Sequence, residues 1–316
     1  MRRSYSYSRR STLERCTRQY FYDYYATDRA CGLCEDRKRQ VAALKSMSGC
    51  ALLAGSILHR FARLHIDPSR ELSPAWIVQT ALRSFDEAIE FARDPRGQAH
   101  RLRDPYPPEE LVEFSYEDLD GEQAGERARG SLERALRTLL HDNAVGELLR
   151  GLAGYELHAE KRLSKLKLSN WCVGGQIDVL ALRSGAARII DWKLGAVEHG
   201  ADSLQLYTYG WFAESIHGVP RGGVSGQRVF LGDGVVEEPQ VVTDGTASVG
   251  RARLFQDIEL MEELHEYGRQ GREEVFRPCN QDGICSRCKY RAICHEAPLR
   301  ESSNAISVSL PVLQRA

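Results

Sequence analysis

The stretch Trp171 to Lys193, WCVGGQIDVLALRSGAARIIDWK, decides how the rest of the chain is read. Two apolar runs, Ile177 to Leu182 and Ala187 to Ile190, flank an Arg-Ser-Gly turn, the pattern of a β-hairpin. Side chains alternate along a strand, so Asp191 and Lys193 project to one side and Trp192 to the other. Asp178 lies on the partner strand, where both carboxylates can face a common point. Two hard oxygen donors beside a lysine form a magnesium or manganese site suited to phosphodiester hydrolysis. The same residues also make an ordinary surface ion pair. The tripeptide alone decides nothing, because Asp36-Arg37-Lys38 repeats it in a polar run with no strand behind it.

At 316 residues the chain exceeds the usual size of one domain, which predicts one large core with an insertion or two modest units. A formal net charge of −1 singles out no class of partner. The distribution says more: residues 2–39 carry ten Lys/Arg against five acids, and Asp104 to Glu126 carries nine acids and no base. The basic segment is interleaved with Tyr5, Tyr7, Tyr20, Phe21, Tyr22, Tyr24 and Tyr25. Such a segment can grip phosphates and stack bases, and it can equally pack an amphipathic helix. No apolar run approaches the roughly 18 to 20 residues of a membrane span. Nor does a signal-type apolar segment follow Met1, so a cytoplasmic location without membrane attachment is expected. Nine cysteines in a reducing compartment favour metal binding over disulfides.

Helical spacing predicts helices over 11–26, from about Ala42 to Leu64, from Ser73-Pro74 to about Arg93, over Ser131–Asp142, from an Asp202 cap to about Ile216, and from about Thr246 to Tyr267. Strands are expected at 154–164, 168–173, 176–183 and 187–193, with a hairpin over Val229–Val236. Asp94 to Gly130 is acidic and rich in Pro and Gly, and reads as an exposed rim of loop with short helical pieces. Gln205 and Tyr209 stand at i, i+4 on one helix face. Near the end, CSRCKYRAIC sets Cys285, Cys288 and Cys294 at C-x2-C-x5-C spacing, a metal-binding pattern that needs a fourth ligand. Cys279 is nearest in sequence; Cys16 would instead join the two ends of the chain. Cys31-x2-Cys34 with Cys285 and Cys288 can alternatively build a Zn²⁺ ribbon.

Taken together, the chain resembles the iron–sulfur branch of the RecB-like PD-(D/E)XK nucleases, the group of AddB-type and CRISPR-adaptation nucleases. In order these are a Ser-rich start, Ser6-Tyr-Ser8, leading to Cys16 and its aromatics; Gly55-x-x-x-His59; Gly175-x-x-Asp178; Asp191-x-Lys193; Gln205-x-x-x-Tyr209; and the cysteine-rich end. Two departures fall on supporting positions: Thr17 replaces the usual proline, and Trp192 and Leu194 replace the usual tyrosine and threonine around the Asp and Lys.

The resemblance implies an α/β fold with a PD-(D/E)XK restriction-endonuclease-like core, a mixed central sheet flanked by helices. It implies one domain over 1–316, with a cluster-binding clasp at 1–30 and 279–296, a helical and acidic insertion at 67–150, a catalytic sheet region at 154–242 and a tail at 297–316. His59, Asp178, Asp191 and the Trp192 carbonyl are then ligands of Mg²⁺ or Mn²⁺, and Asp178, Asp191 and Lys193 are catalytic. Gln205 and Tyr209 shape the wall facing nucleic acid, and Glu160 is an additional candidate acid. Cys16, Cys285, Cys288 and Cys294 hold a structural [4Fe–4S] cluster, closing a loop of about 270 residues at a cost of about 5 kcal/mol. The expected activity is a metal-dependent deoxyribonuclease, an exonuclease acting on DNA ends or single strands in repair, recombination or defence, with a helicase or defence-system subunit as candidate partner. Two alternatives stand beside it: a catalytically silent nuclease fold that binds DNA or scaffolds a complex, and a zinc-stabilised interaction protein.

Overall fold

The computed structural model describes residues 3–67, 69–94, 110–163, 166–195, 197, 204–220 and 222–299. Its helices are α1 (Tyr7–Arg15), α2 (Thr17–Tyr24), α3 (Glu35–Lys45), α4 (Cys50–Ile66), α5 (Pro74–Arg93), α6 (Val112–Ser115), α7 (Gly121–His141), α8 (Asn143–Arg150), α9 (Leu204–His217), α10 (Asp244–Gln270), α11 (Asp282–Cys285) and α12 (Arg291–Cys294). Its strands are β1 (Ser4–Tyr5), β2 (Glu156–Arg162), β3 (Lys167–Leu168), β4 (Trp171–Val173), β5 (Gln176–Arg183), β6 (Ala186–Lys193), β7 (Val224–Phe230), β8 (Val235–Val236) and β9 (Gln240–Val241). The main sheet runs β2-β5-β6-β7-β8, with β9 also on β7; a smaller one runs β1-β4-β3. β5 and β6 form the expected antiparallel hairpin, turning at Gly185 with φ +72. β6 and β7 are parallel, and α9 lies in the crossover between them, as a parallel connection requires. The result is the mixed sheet flanked by helices that the sequence predicts.

Alternation along the strands divides the core in two. Leu180, Ala187 and Ile189 pack with the N-terminal aromatics and with α9 and α10. Val179, Ala181, Ile190 and Trp192 pack with α4, α5, α7 and α8 on the opposite face. Among the described residues no helix is long and apolar enough to cross a membrane.

Several expected helices are cut differently. The helix predicted over 11–26 is two, because Cys16 is extended (φ −163, ψ 113), ending α1 and capping α2. The helix predicted from Ala42 is α3 and α4, parted where Ser48 bridges Leu111 and Glu113 accepts from the Cys50 N–H. The acidic rim is partly helical: α7 begins at Gly121 behind an Asp120 cap, ten residues before the expected start. Its glycines serve packing, since a Cβ at Gly121 would lie 2.7 Å from the Phe114 ring and one at Gly125 3.2 Å from Ile89. The 95–109 part of that rim and Asp202 lie outside the described residues.

The N-terminal aromatics build core and are not a base-stacking platform: Tyr5, Tyr20, Phe21, Tyr22 and Tyr25 are buried. Arg9, also buried, lies over the rings of Tyr20, Tyr24 and Tyr25, and Arg10 pairs with Asp257 at 2.9 Å. Part of the segment's positive charge is thus spent inside the protein. Arg18 and Arg37 both meet Glu273 at 2.7 Å, and the Tyr22 hydroxyl donates to the same oxygen at 2.6 Å. Lys38 of the decoy tripeptide pairs with Glu35. Burial alone would raise the Glu273 carboxyl, but hydrogen bonds from Arg37 and Tyr22 and the two guanidinium charges hold it below its ordinary value. A depressed acid stabilises the fold above its ordinary pKa, and this stabilisation is lost as pH falls through the folded value. Glu273→Gln is expected to cost about 2–3 kcal/mol near neutral pH, and the gap from wild type should close as the pH of urea melts is lowered below about 4.

Candidate active site

The hairpin ladder stops short of its strand ends. Register pairs Val179 with Ile190, but Asp178, next in line, is unpaired, and its carboxylate Oδ2 accepts the Trp192 N–H at 2.8 Å. On the other side, β2 releases the same residue. Ala159 pairs with Val179 and Lys161 with Ile177, while Glu160 between them has φ +50 and makes no pair. A left-handed glutamate costs on the order of 1–3 kcal/mol, strain of the kind kept at functional sites. Glu160 turns its carboxylate to Arg63 at 3.4 Å, one helical turn beyond His59 on α4. β6 stays paired to β7 through Lys193, so the sheet opens between β5 and β6 where Asp178, Asp191 and the Trp192 backbone meet.

Into this opening the sequence-predicted residues converge. His59 Nδ1 lies 3.1 Å from Asp178 Oδ1. Asp191 and Lys193 share one strand face, as alternation requires, and the Lys193 ammonium sits 2.6 Å from Asp191 Oδ2. That oxygen is buried and has no well-directed hydrogen bond, so the contact is chiefly Coulombic. From α9 the Gln205 amide bridges the pair: its nitrogen donates to Asp191 Oδ1 at 3.0 Å and its oxygen accepts from Lys193 at 3.2 Å. The same nitrogen contacts the Tyr209 hydroxyl at 2.8 Å, and that hydroxyl donates to the Gln176 carbonyl at 2.6 Å. Tyr209 therefore ties α9 to the start of β5, a role visible only once the Gln176 carbonyl is placed.

Asp191 is only 2 % exposed. Burial pushes its carboxyl up from 3.8 to about 6, the charge of Asp178 adds to the rise, and Lys193 and His59 oppose it. At His59 burial disfavours the charged form, but the hydrogen bond and charge of Asp178, with Asp191 behind it, prevail and raise the imidazole. Tyr209 is likewise raised, first by burial. Two carboxylates, an imidazole and a strand-end carbonyl suit a divalent ion with oxygen preference. Asp191 Oδ2, buried and beside the Lys193 ammonium but without a well-directed hydrogen bond, is the acceptor such an ion would satisfy. As they stand, His59 is engaged with Asp178 and Lys193 with Asp191, and among the described residues no group of three or more His, Cys, Asp or Glu is gathered closely enough to hold a metal ion.

A second constellation lies at the joined ends of the chain. Cys16, Cys279, Cys285, Cys288 and Cys294 line one tight hollow of about 10 Å³, with Cys279 Sγ 3.7 Å from Cys285 Sγ. Cys16 enters because its extended backbone breaks α1 from α2. The lining holds no carboxylate, so the donor set is soft. Burial first, then the neighbouring thiols Cys16 and Cys294, push Cys288 up to about 12, and burial raises Cys294. Neither Cys31 nor Cys34 lines this hollow: Cys31 is buried and donates to the Gly268 carbonyl at 3.3 Å, and Cys34 is exposed at the cap of α3. The alternative ribbon of Cys31, Cys34, Cys285 and Cys288 is therefore not assembled.

The sequence model of the PD-(D/E)XK nuclease superfamily matches residues 4–295, nearly the whole chain. The protein belongs to that superfamily, whose members are typically nucleases dependent on Mg²⁺ or Mn²⁺. A search of curated proteins returns no match.

The raised His59 loses its stabilisation as pH rises through its own folded value. A carboxyl with a raised folded pKa binds more protons folded than unfolded, so the contribution of Asp191 falls as pH rises from about 4 to 6. In metal-free protein, Asp191→Asn is expected to abolish that fall and to melt higher than wild type at pH 8. Melting temperatures in EDTA at pH 4.5 and 8 check this.

Proposed function

We propose that the chain is a divalent-metal-dependent deoxyribonuclease hydrolysing phosphodiester bonds at DNA ends or in single strands, in repair, recombination or defence. The observation that carries the reading is the buried Asp191 held between the Lys193 ammonium and the Gln205 amide, beside the Asp178–His59 pair. His59, Asp178, Asp191 and the Trp192 carbonyl would hold Mg²⁺ or Mn²⁺. When bound, such an ion polarises the scissile phosphate and makes its water more acidic.

The residues supply the rest. Lys193 positions the attacking water and offsets negative charge that builds on the pentacoordinate phosphorus in the transition state. It is also the cation that favours ionised Asp191. Gln205 keeps the two in register, so neither has to reorganise during the reaction. Tyr209 braces Gln205 against the Gln176 carbonyl and forms the wall beside the nucleic acid. Cys16, Cys285, Cys288 and Cys294 would hold a [4Fe–4S] cluster whose role is structural, fastening α1 and α2 to the C-terminal segment. Support for this comes from the five cysteines, Cys16 among them, that share the hollow with no carboxylate in its lining.

Purified protein with Mg²⁺ or Mn²⁺ is expected to cut single-stranded or duplex DNA, with Asp191→Ala and Lys193→Ala each at least about 10³-fold slower. Mn²⁺ should raise the melting temperature of wild type and of Lys193→Ala, and not of Asp191→Ala. Absence of cleavage by wild type overturns the enzyme; tight DNA binding indifferent to EDTA and to Lys193→Ala would then mark a silent scaffold. Anaerobically purified protein is expected to be brown and to carry about four irons per chain, lost in Cys16→Ser. Colourless protein with bound zinc overturns the cluster and leaves the nuclease claim standing.

A further inference from the structure

Two hollows adjoin where β6 ends. The larger, of about 660 Å³, is bounded by Leu194 and Gly195, directly after Lys193, by the start of α4 at Cys50, and by Arg127 on α7. The smaller, of about 290 Å³, is lined by Ser48, Gly49, Val112 and Arg15. Arg287 lines both, and the chain steps from one to the other at Gly49–Cys50 and at Val112–Glu113. They adjoin along a path from the residues that follow β6 to Cys288 of the cysteine-rich clasp.

The acids of this groove are already committed. Glu113 accepts from the Cys50 N–H at 3.1 Å and Asp120 from the Gln123 N–H at 2.9 Å, each capping a helix whose N-terminal partial charge offsets its own. Asp118 is paired with Arg291. The cations are available: among the described residues Arg127 contacts the neutral Gln123 amide and has no ion-pair partner, and neither do the exposed Arg15 and Arg287. Three guanidinium groups thus recur along a concave path whose acids are satisfied internally. Guanidinium groups along a concave path suit backbone phosphates, and hollows of about 660 and 290 Å³ are small beside a double helix.

We infer that this groove binds single-stranded DNA, with Arg127, Arg287 and Arg15 on successive backbone phosphates and one end of the strand at Lys193. The inference rests on the nuclease reading and names the route by which substrate lies on the protein. The Arg127→Ala/Arg287→Ala double variant tests it by fluorescence anisotropy with labelled oligo(dT), Ca²⁺ replacing Mg²⁺, across 50–200 mM salt. Loss of two phosphate contacts is expected to weaken binding at least about tenfold and to make the slope of log K against log salt shallower by about 1.4. Arg287→Lys should restore much of the slope, and Arg137→Ala, on α7 outside the groove, should leave it unchanged. Duplex DNA should compete poorly. If wild type cuts DNA while the double variant keeps both affinity and slope, the groove is refuted and the nuclease reading survives. If duplex competes equally, the single-strand assignment is refuted. If wild type neither binds nor cuts, both readings fall.

Discussion

A carboxylate removed from water has to be met by positive charge, and the centre of this protein is arranged around that requirement at Asp191. Its side chain is out of solvent on the α9 side of the sheet, and the groups that reach it come from three places in the chain: Lys193 two residues on, Gln205 from the crossover helix, and the Asp178–His59 pair from β5 and α4. Each is placed by a different structural rule. Strand alternation sets Lys193, helical spacing sets Gln205 above Tyr209, and the parting of β5 from β6 admits the imidazole. Opening the sheet gives up ladder hydrogen bonds at Asp178 on both sides, and the Trp192 N–H is satisfied by a side chain instead.

How much of this was legible in the sequence follows from how local each determinant is. The β5–β6 hairpin was readable because its period of two is imposed by two hydrophobic faces and its turn by an Arg-Ser-Gly step. Ser73 before Pro74 announced α5, and the structure uses the Ser73 hydroxyl as its cap. The ordered motifs also brought His59, Asp178, Asp191, Lys193, Gln205 and Tyr209 to one place. The unreadable features were those set by distant partners. Nothing near residue 48 shows that Glu113 will cap α4, and no local pattern shows that Phe114 and Ile89 need glycines on α7. Composition there pointed to loop when close packing was the cause. The tyrosine-rich start misled in a similar way, since propensity does not tell a buried ring from a stacking one.

The clasp shows the same limit in the choice of cysteines. Spacing singled out Cys285, Cys288 and Cys294, but the position of Cys16 depends on a helix break that its own neighbours do not signal. Cys279 shares the hollow, although the motif does not require it. Charge pairing reinforces the join. Glu273 takes guanidinium groups from α2 and α3, and Asp23 accepts from the Tyr290 hydroxyl at 2.7 Å.

One consequence concerns the order in which the molecule can be made. Arg18 and Glu273 are 255 positions apart, and Cys16 meets cysteines synthesised still later. During translation α1 and α2 therefore emerge with their aromatic and arginine side chains lacking final partners, and they wait until the segment carrying Glu273 has followed. Contacts of such long range are intrinsically slow to form. A metal held jointly by Cys16 and the later cysteines could be fully enclosed only once the segment through Cys294 had been made.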